Sequence, residues 1–157
     1  MGVFKHILVP TDFGEPSTRA LHTAMELAKD MGARLSLIHV WEVPAWAYGG
    51  IEFTAVDYLT PVQEAAEKDL DEAVASVRDK IPGSEGILRQ GVAWKEILAA
   101  IESTHADLVV MGTHGRYGLG HAILGSVAEK VVRLSPVPVL TVREPPRIKG
   151  KDSPPSK

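Results

Sequence analysis

Apolar and polar positions follow two different periods along this chain. Short, nearly continuous apolar runs occur at 5–10 (KHILVP), 34–41 (RLSLIHVW), 86–92, 107–111 (DLVVM) and 137–143 (VPVLTVR), the third being the weakest. Runs of this length predict strands buried on both faces. Between them apolar residues recur every three or four positions, which predicts helices. At 16–31, Leu21, Ala24, Met25 and Ala28 fall on one face, Pro16 suits a first turn and Gly32 a stop. At 60–81 the stripe is Ala66, Leu70, Ala73, Val77 and Ile81, ended by Pro82-Gly83. Thr60 and Gln63 there have capping-box spacing, with Pro61 at the first helical position. Shorter helices are predicted at 94–104, with Ile97, Ala100 and Ile101 inward, and at 127–134. Residues 42–59 read as a long connection carrying Trp46, Tyr48, Phe53 and Tyr58.

Strand and helix thus alternate four times before a closing strand. Helical crossovers between consecutive strands imply parallel pairing, so the expected fold is a doubly wound α/β domain over 1–143, a five-stranded sheet with helices on both faces. Residues 144–157, rich in Pro, Lys and Ser, are expected to form a disordered tail. In such sheets ligands bind beyond the carboxyl ends of the strands, where the winding direction switches. Asp12 follows the first strand and Gly112 the fourth, so both are expected at one crevice.

The densest candidate chemistry follows the fourth strand: Gly112-Thr113-His114-Gly115, nine further residues, then Gly125-Ser126 at the start of a helix. Glycines let a chain turn sharply and let a ligand meet the backbone. A helix start offers free N–H groups and partial positive charge, which suit phosphate. The same residues also suit a plain turn and a Ser helix cap. No lysine follows the glycines as in a P-loop, and Ser126 lacks the GxSxG setting of a nucleophile, so capping or phosphate contact is the better role for it. Asp12 could cap the following helix, hold a ribose hydroxyl or hold a metal-bound water; ribose is favoured. Arg116 is either solvated surface or a contact to a terminal phosphate. Asp12 and His114 are the evident candidate bases.

Composition narrows the field. The chain has 157 residues, 45% hydrophobic and 24% charged, which fits one globular, soluble domain. It has no cysteine, so disulfides and thiolate metal sites are excluded. Six histidines show no paired metal-ligand spacing; His39, inside a strand, and Trp94, in line with Ile97 and Ile101, are expected in the core. Net charge is −3; the last fifteen residues carry five Lys/Arg and two Asp/Glu, leaving about −6 on the body. An acidic body argues against nucleic-acid binding. No apolar run reaches membrane-spanning length and no signal-peptide pattern opens the chain, so a cytoplasmic location without membrane contact is expected.

Three segments together carry a resemblance: Ile7-Leu8-Val9-Pro10-Thr11-Asp12, Ala106-Asp107-Leu108-Val109-Val110-Met111-Gly112, and Gly112-x2-Gly115-x9-Gly125-Ser126. Over about residues 3–143 the chain resembles the ATP-binding branch of the universal stress protein family, within the adenine-nucleotide α-hydrolase-like folds. The resemblance implies strand order 3-2-1-4-5, a homodimer joined through the fifth strand (Val137–Arg143), and a regulatory stress-response role with an unidentified protein partner. It implies ATP, accompanied or not by Mg2+, with Asp12 near ribose and adenine, Pro10 and Thr11 shaping that end, and Val40 and Met111 on adenine. Backbone amides of Gly112, Gly115, Gly125, Ser126 and Val127, with the Ser126 hydroxyl, would hold the phosphates. Slow ATP hydrolysis and a nucleotide-independent dimerisation module are the competing roles. The SGGxDS loop of enzymes in the wider fold group is replaced here by Val9-Pro10-Thr11-Asp12-Phe13-Gly14.

Overall fold

The computed structural model describes residues 2–44, 52–114 and 124–144, those at 52–58 by backbone alone. Trp46, Tyr48, Gly115, Arg116 and nearly all of the expected tail lie outside the described residues. The elements in order are β1 (His6–Pro10), α1 (Glu15–Met31), β2 (Arg34–Trp41), α2 (Glu52–Arg78), β3 (Glu85–Gln90), α3 (Ala93–Thr104), β4 (Leu108–Gly112), α4 (Ser126–Leu134) and β5 (Val139–Val142). The strands form one five-stranded sheet in the order β3-β2-β1-β4-β5, and all four pairings are parallel. The expected doubly wound architecture and strand order are both present.

The sheet's alternating side chains build two cores. Ile7 and Val9 of β1, Leu35 and Leu37 of β2, and Val110 of β4 face α1 and α2, meeting Ala20, Ala24, Leu70, Val74 and Val77. Leu8, Ile38, Val109 and Met111 face the other way, onto Ile97, Ala100 and Ile101 of α3 and Ala128 and Val131 of α4. Successive strand residues point to opposite faces, so a strand covered on both sides is apolar at nearly every position. β1 is buried throughout. β3 and β5 are edges, and their residues are half-buried or exposed.

Helix termini follow the local chemistry. α1 carries Pro16 in its first turn and ends on Gly32, left-handed at φ 66°, whose N–H returns to the Ala28 carbonyl. α3 ends on His105, also left-handed at φ 56°.

α2 corrects the sequence reading. It starts at Glu52, so Pro61 lies inside the helix and the expected Thr60–Gln63 capping box does not form a helix start. Gln63 instead donates from Nε2 to Glu67 Oε1 at 3.0 Å, one turn along. Pro61 is exposed, where water can replace the backbone bond that its ring removes. Much of the expected 42–59 connection, including the backbone of Phe53 and Tyr58, is therefore helical.

At the amino ends of the strands a polar cluster closes the sheet. Asp107 accepts the backbone N–H of Lys5 at 2.9 Å and of His6 at 3.0 Å, tying β1 to the start of β4. The His6 ring is 3% exposed. Its Nδ1 lies 3.0 Å from the Thr104 carbonyl, which can only accept, so Nδ1 carries a proton. Its Nε2 lies 2.7 Å from Ser36 Oγ, which is itself 3.1 Å from Glu85 Oε1. Burial holds the imidazole below its usual pKa, with the nearby Arg34 guanidinium acting in the same direction; the Thr104 carbonyl, Glu85 and Asp107 oppose this in part.

Candidate functional site: the crevice between β1 and β4

β1 and β4 are neighbours whose following helices leave on opposite faces, and a crevice opens where they part. Its unfilled space, open mouth included, is about 680 Å³. One wall is the β1–α1 turn, with Pro10, Thr11, Asp12 and Ser17. The floor is apolar, built from Ile38, Val40, Ile97 and Met111. The far wall is Gly112, Thr113 and His114 after β4, with Gly125, Ser126 and Val127 at the start of α4.

The β1–α1 turn is held by its own polar side chains. Asp12 Oδ1 accepts the Gly14 N–H and the Ser17 hydroxyl, each at 2.9 Å. Thr11 Oγ1 accepts the Phe13 N–H at 3.0 Å, which stabilises the left-handed backbone of Phe13 at φ 63°. His39 donates from Nδ1 to the Thr11 carbonyl at 2.8 Å, and its ring lies 4.5 Å from that of Phe13. His39 is half-buried rather than a core residue, and it buttresses the turn from β2. The N-cap of α1 is Gly14, with no side-chain bond, so Asp12 braces the turn two residues ahead of the cap.

The opposite wall is organised by Thr113. Its N–H donates to the Val142 carbonyl of β5 at 3.3 Å, and its own carbonyl accepts the Gly125 N–H at 2.6 Å. These bonds bring the start of α4 against the end of β4. Gly125 is the N-cap of α4, again without a side-chain bond, and Ser126 is the first helical residue. Ser126 therefore does not cap; it stands exposed on the first turn. Glu129 donates its N–H to the Gly125 carbonyl at 2.9 Å, as the first bond of the helix. The amides of Ser126, Val127 and Ala128 precede that bond, and these residues line the crevice. The Gly125 amide, by contrast, is already engaged by Thr113.

Gly112 has a packing role that its sequence position did not reveal. A Cβ there would stand 2.9 Å from the Pro16 carbonyl carbon and oxygen, so α1 can start against β4 only over a glycine. Thr113 is 4% exposed, and its Oγ1 lies 2.8 Å from His114 Nδ1. His114 Nε2 is buried and has no hydrogen-bond partner among the described residues.

Of the residues singled out from sequence, the structure brings Pro10, Thr11, Asp12, Val40, Met111, Gly112, Gly125, Ser126 and Val127 to this one crevice. Gly115 and Arg116 lie outside the described residues. Ser17, Ile38, Ile97 and Thr113 were not singled out for the site. Ser17 could have been found from its place on the first turn of the helix that follows Asp12, five residues on; Thr113 gave no signal, because its backbone partner Val142 lies on β5. Trp94 is half-buried at the edge of the α3–α4 core, with the Lys95 and Lys130 ammonium groups 5.4 and 5.2 Å from its ring centre.

Comparison with known proteins agrees with this geometry. The model of the universal stress protein family matches residues 4–143. A universal stress protein of Thermus aquaticus, from the 3′ region of its QAH/OAS sulfhydrylase, is 39% identical over 141 residues, covering 90% of this chain and 100% of that protein. The solved structure of protein MJ0577 of Methanocaldococcus jannaschii superposes with a TM-score of 0.80 at 27% identity, covering 92% of this chain and 99% of that one. A universal stress protein solved in complex with cAMP has the same fold, with a TM-score of 0.67 at 22% identity over 90% of this chain and 98% of that one. With its sheet order, its crevice and its sequence all in agreement, this chain belongs to the universal stress protein family.

Proposed function

We propose that the chain binds ATP in the crevice between β1 and β4 and acts as a nucleotide-responsive regulatory protein in a cytoplasmic stress response. One observation carries the proposal: an apolar floor that includes Val40 and Met111 shares one crevice with the open first turn of α4. Apolar side chains suit a base, and uncommitted helix amides suit phosphate. Asp12, braced through Oδ1 by Gly14 and Ser17, would hold a ribose hydroxyl; Mg2+ would join the phosphates rather than a protein cage. The fold can hold an adenine nucleotide, since the universal stress protein solved with cAMP shares it.

With Asp12 Oδ1 committed to Gly14 and Ser17, the carboxylate is better suited to positioning than to proton abstraction, which favours binding over rapid hydrolysis. We further propose a homodimer through β5. That strand pairs with β4 alone among the described residues, and Leu140 on it and Val132 and Leu134 on α4 are exposed apolar side chains. A second copy would cover them and remove the open edge. Nucleotide would act by favouring one arrangement of the crevice walls that a protein partner reads.

Equilibrium binding of ATP to nucleotide-stripped protein tests the site. Saturable binding, weakened at least tenfold by Val40→Trp on the floor, is the expected result. No binding at millimolar ATP would end the proposal.

A further inference from the structure

We infer that His114 is a phosphate-recognising donor and that Thr113 is the positioning residue that sets its tautomer. This deepens the ATP reading above and rests on it. Among the described residues, the His114 ring is held at one nitrogen only. Nδ1 meets Thr113 Oγ1 at 2.8 Å, while Nε2 is buried on the crevice wall without a partner among the described residues. A buried ring nitrogen left unpaired is costly, and it is relieved when a ligand supplies the missing partner.

Two neutral tautomers are available. If Nδ1 carries the proton it donates to Thr113, and Nε2 presents a lone pair that would repel phosphate oxygen. If Thr113 donates its hydroxyl proton to Nδ1, Nε2–H becomes a donor on the same wall as the first turn of α4. The second arrangement matches an anionic acceptor, and among the described residues no hydrogen bond to Nε2 competes for it. Thr113 can serve it as the donor. Its backbone is held at both ends, by the Val142 carbonyl and by the Gly125 amide, which keeps its hydroxyl beside Nδ1. The same residue thereby joins β5, the start of α4 and the His114 ring, so ligand at Nε2 and the placement of the edge strand share one anchor.

The test compares ATP with adenosine, which has the base and ribose but no phosphate. In wild-type protein, nitrogen NMR of the nucleotide-free state should show His114 protonated at Nε2 with Nδ1 as acceptor. His114→Ala should weaken ATP at least tenfold and leave adenosine within twofold. His114→Gln, which keeps a donor near Nε2, should recover part of the loss. Thr113→Val should shift the tautomer population and weaken ATP in the same selective way, and Thr113→Ser should restore both. Equal losses for ATP and adenosine, or unchanged ATP affinity in His114→Ala, would overturn the inference while leaving ATP binding intact. A proton found on Nδ1 in the nucleotide-free protein would also overturn it. Wild-type protein that binds neither ligand would overturn the parent reading and this inference together.

Discussion

Individual residues in this chain hold positions that other side chains cannot. Gly112 is the sharpest case, because a methyl group there would press against the backbone of Pro16 at 2.9 Å. Backbone cannot rotate aside as a flexible side chain can. Gly112→Ala is expected to lower stability by about 1–3 kcal/mol, read by urea denaturation, whether or not nucleotide is present. A loss of ATP affinity with unchanged stability would instead mean that Gly112 serves only ligand approach. His6 makes a second residue-scale prediction. Its folded-state pKa lies below the usual value of about 6.5, chiefly because burial disfavours the charged ring. Below that pH the unfolded chain takes up a proton that the folded chain refuses. Stability is therefore lost as pH falls from about 6.5 through the lowered value, and His6 adds no pH dependence above it. Unfolding free energy measured between pH 7 and 5 should fall less steeply in His6→Asn than in the wild type. An equal slope in both proteins would contradict the buried neutral ring.

At the scale of elements, most of the fold was legible because its signals are local. Uninterrupted apolar runs gave the strands, and Gly32 marked the end of α1. The stripe on α2 was found in large part from Ala66, Leu70 and Val77; Ile81, expected on the same helix, is buried just beyond the helix end at Arg78. Val74 was missed, since its place on the buried face depends on where β3 packs; Gly86 of that strand has no room for a Cβ beside it. The start of α2 was misplaced for a different reason. Thr60, Pro61 and Gln63 have the spacing of a helix start, and local rules do not show that the helix already runs through them from Glu52. The two assignments differ in a measurable way. In a helix interior proline is less favourable than alanine by about 3 kcal/mol, partly offset by the looser unfolded chain, whereas at a first turn it is well accommodated. Pro61→Ala should therefore raise the melting temperature. A neutral or lowered value would restore the helix start to Thr60. In the site, the residues that end strands were legible, as with Asp12 and Gly112. His114 was read as a candidate base and Thr113 only as part of the glycine motif, because the bonds that fix Thr113 come from β5 and the start of α4, distant in sequence.

The molecule as a whole is polarised along its strands. The amino ends are closed by Asp107 and the His6–Ser36–Glu85 cluster, while the carboxyl ends part into the crevice. Parallel strands send every following helix N-terminus toward the same end, so the sheet topology itself sets where an anion would be held. The proposed dimer uses a third surface, the β5 edge. Leu140→Lys should shift sedimentation from dimer to monomer while leaving the monomer folded, since Leu140 is 40% exposed in the single chain. An unchanged dimer would place the interface elsewhere. The central proposal, that nucleotide lies at the open carboxyl end, is tested most directly by amide NMR of labelled protein titrated with ATP. The expected shifts are at Thr11, Asp12, Gly112, Ser126, Val127 and Ala128, with Lys5, His6, Arg34 and Asp107 unmoved. Shifts confined to the amino ends, or none at saturating ATP, would contradict it.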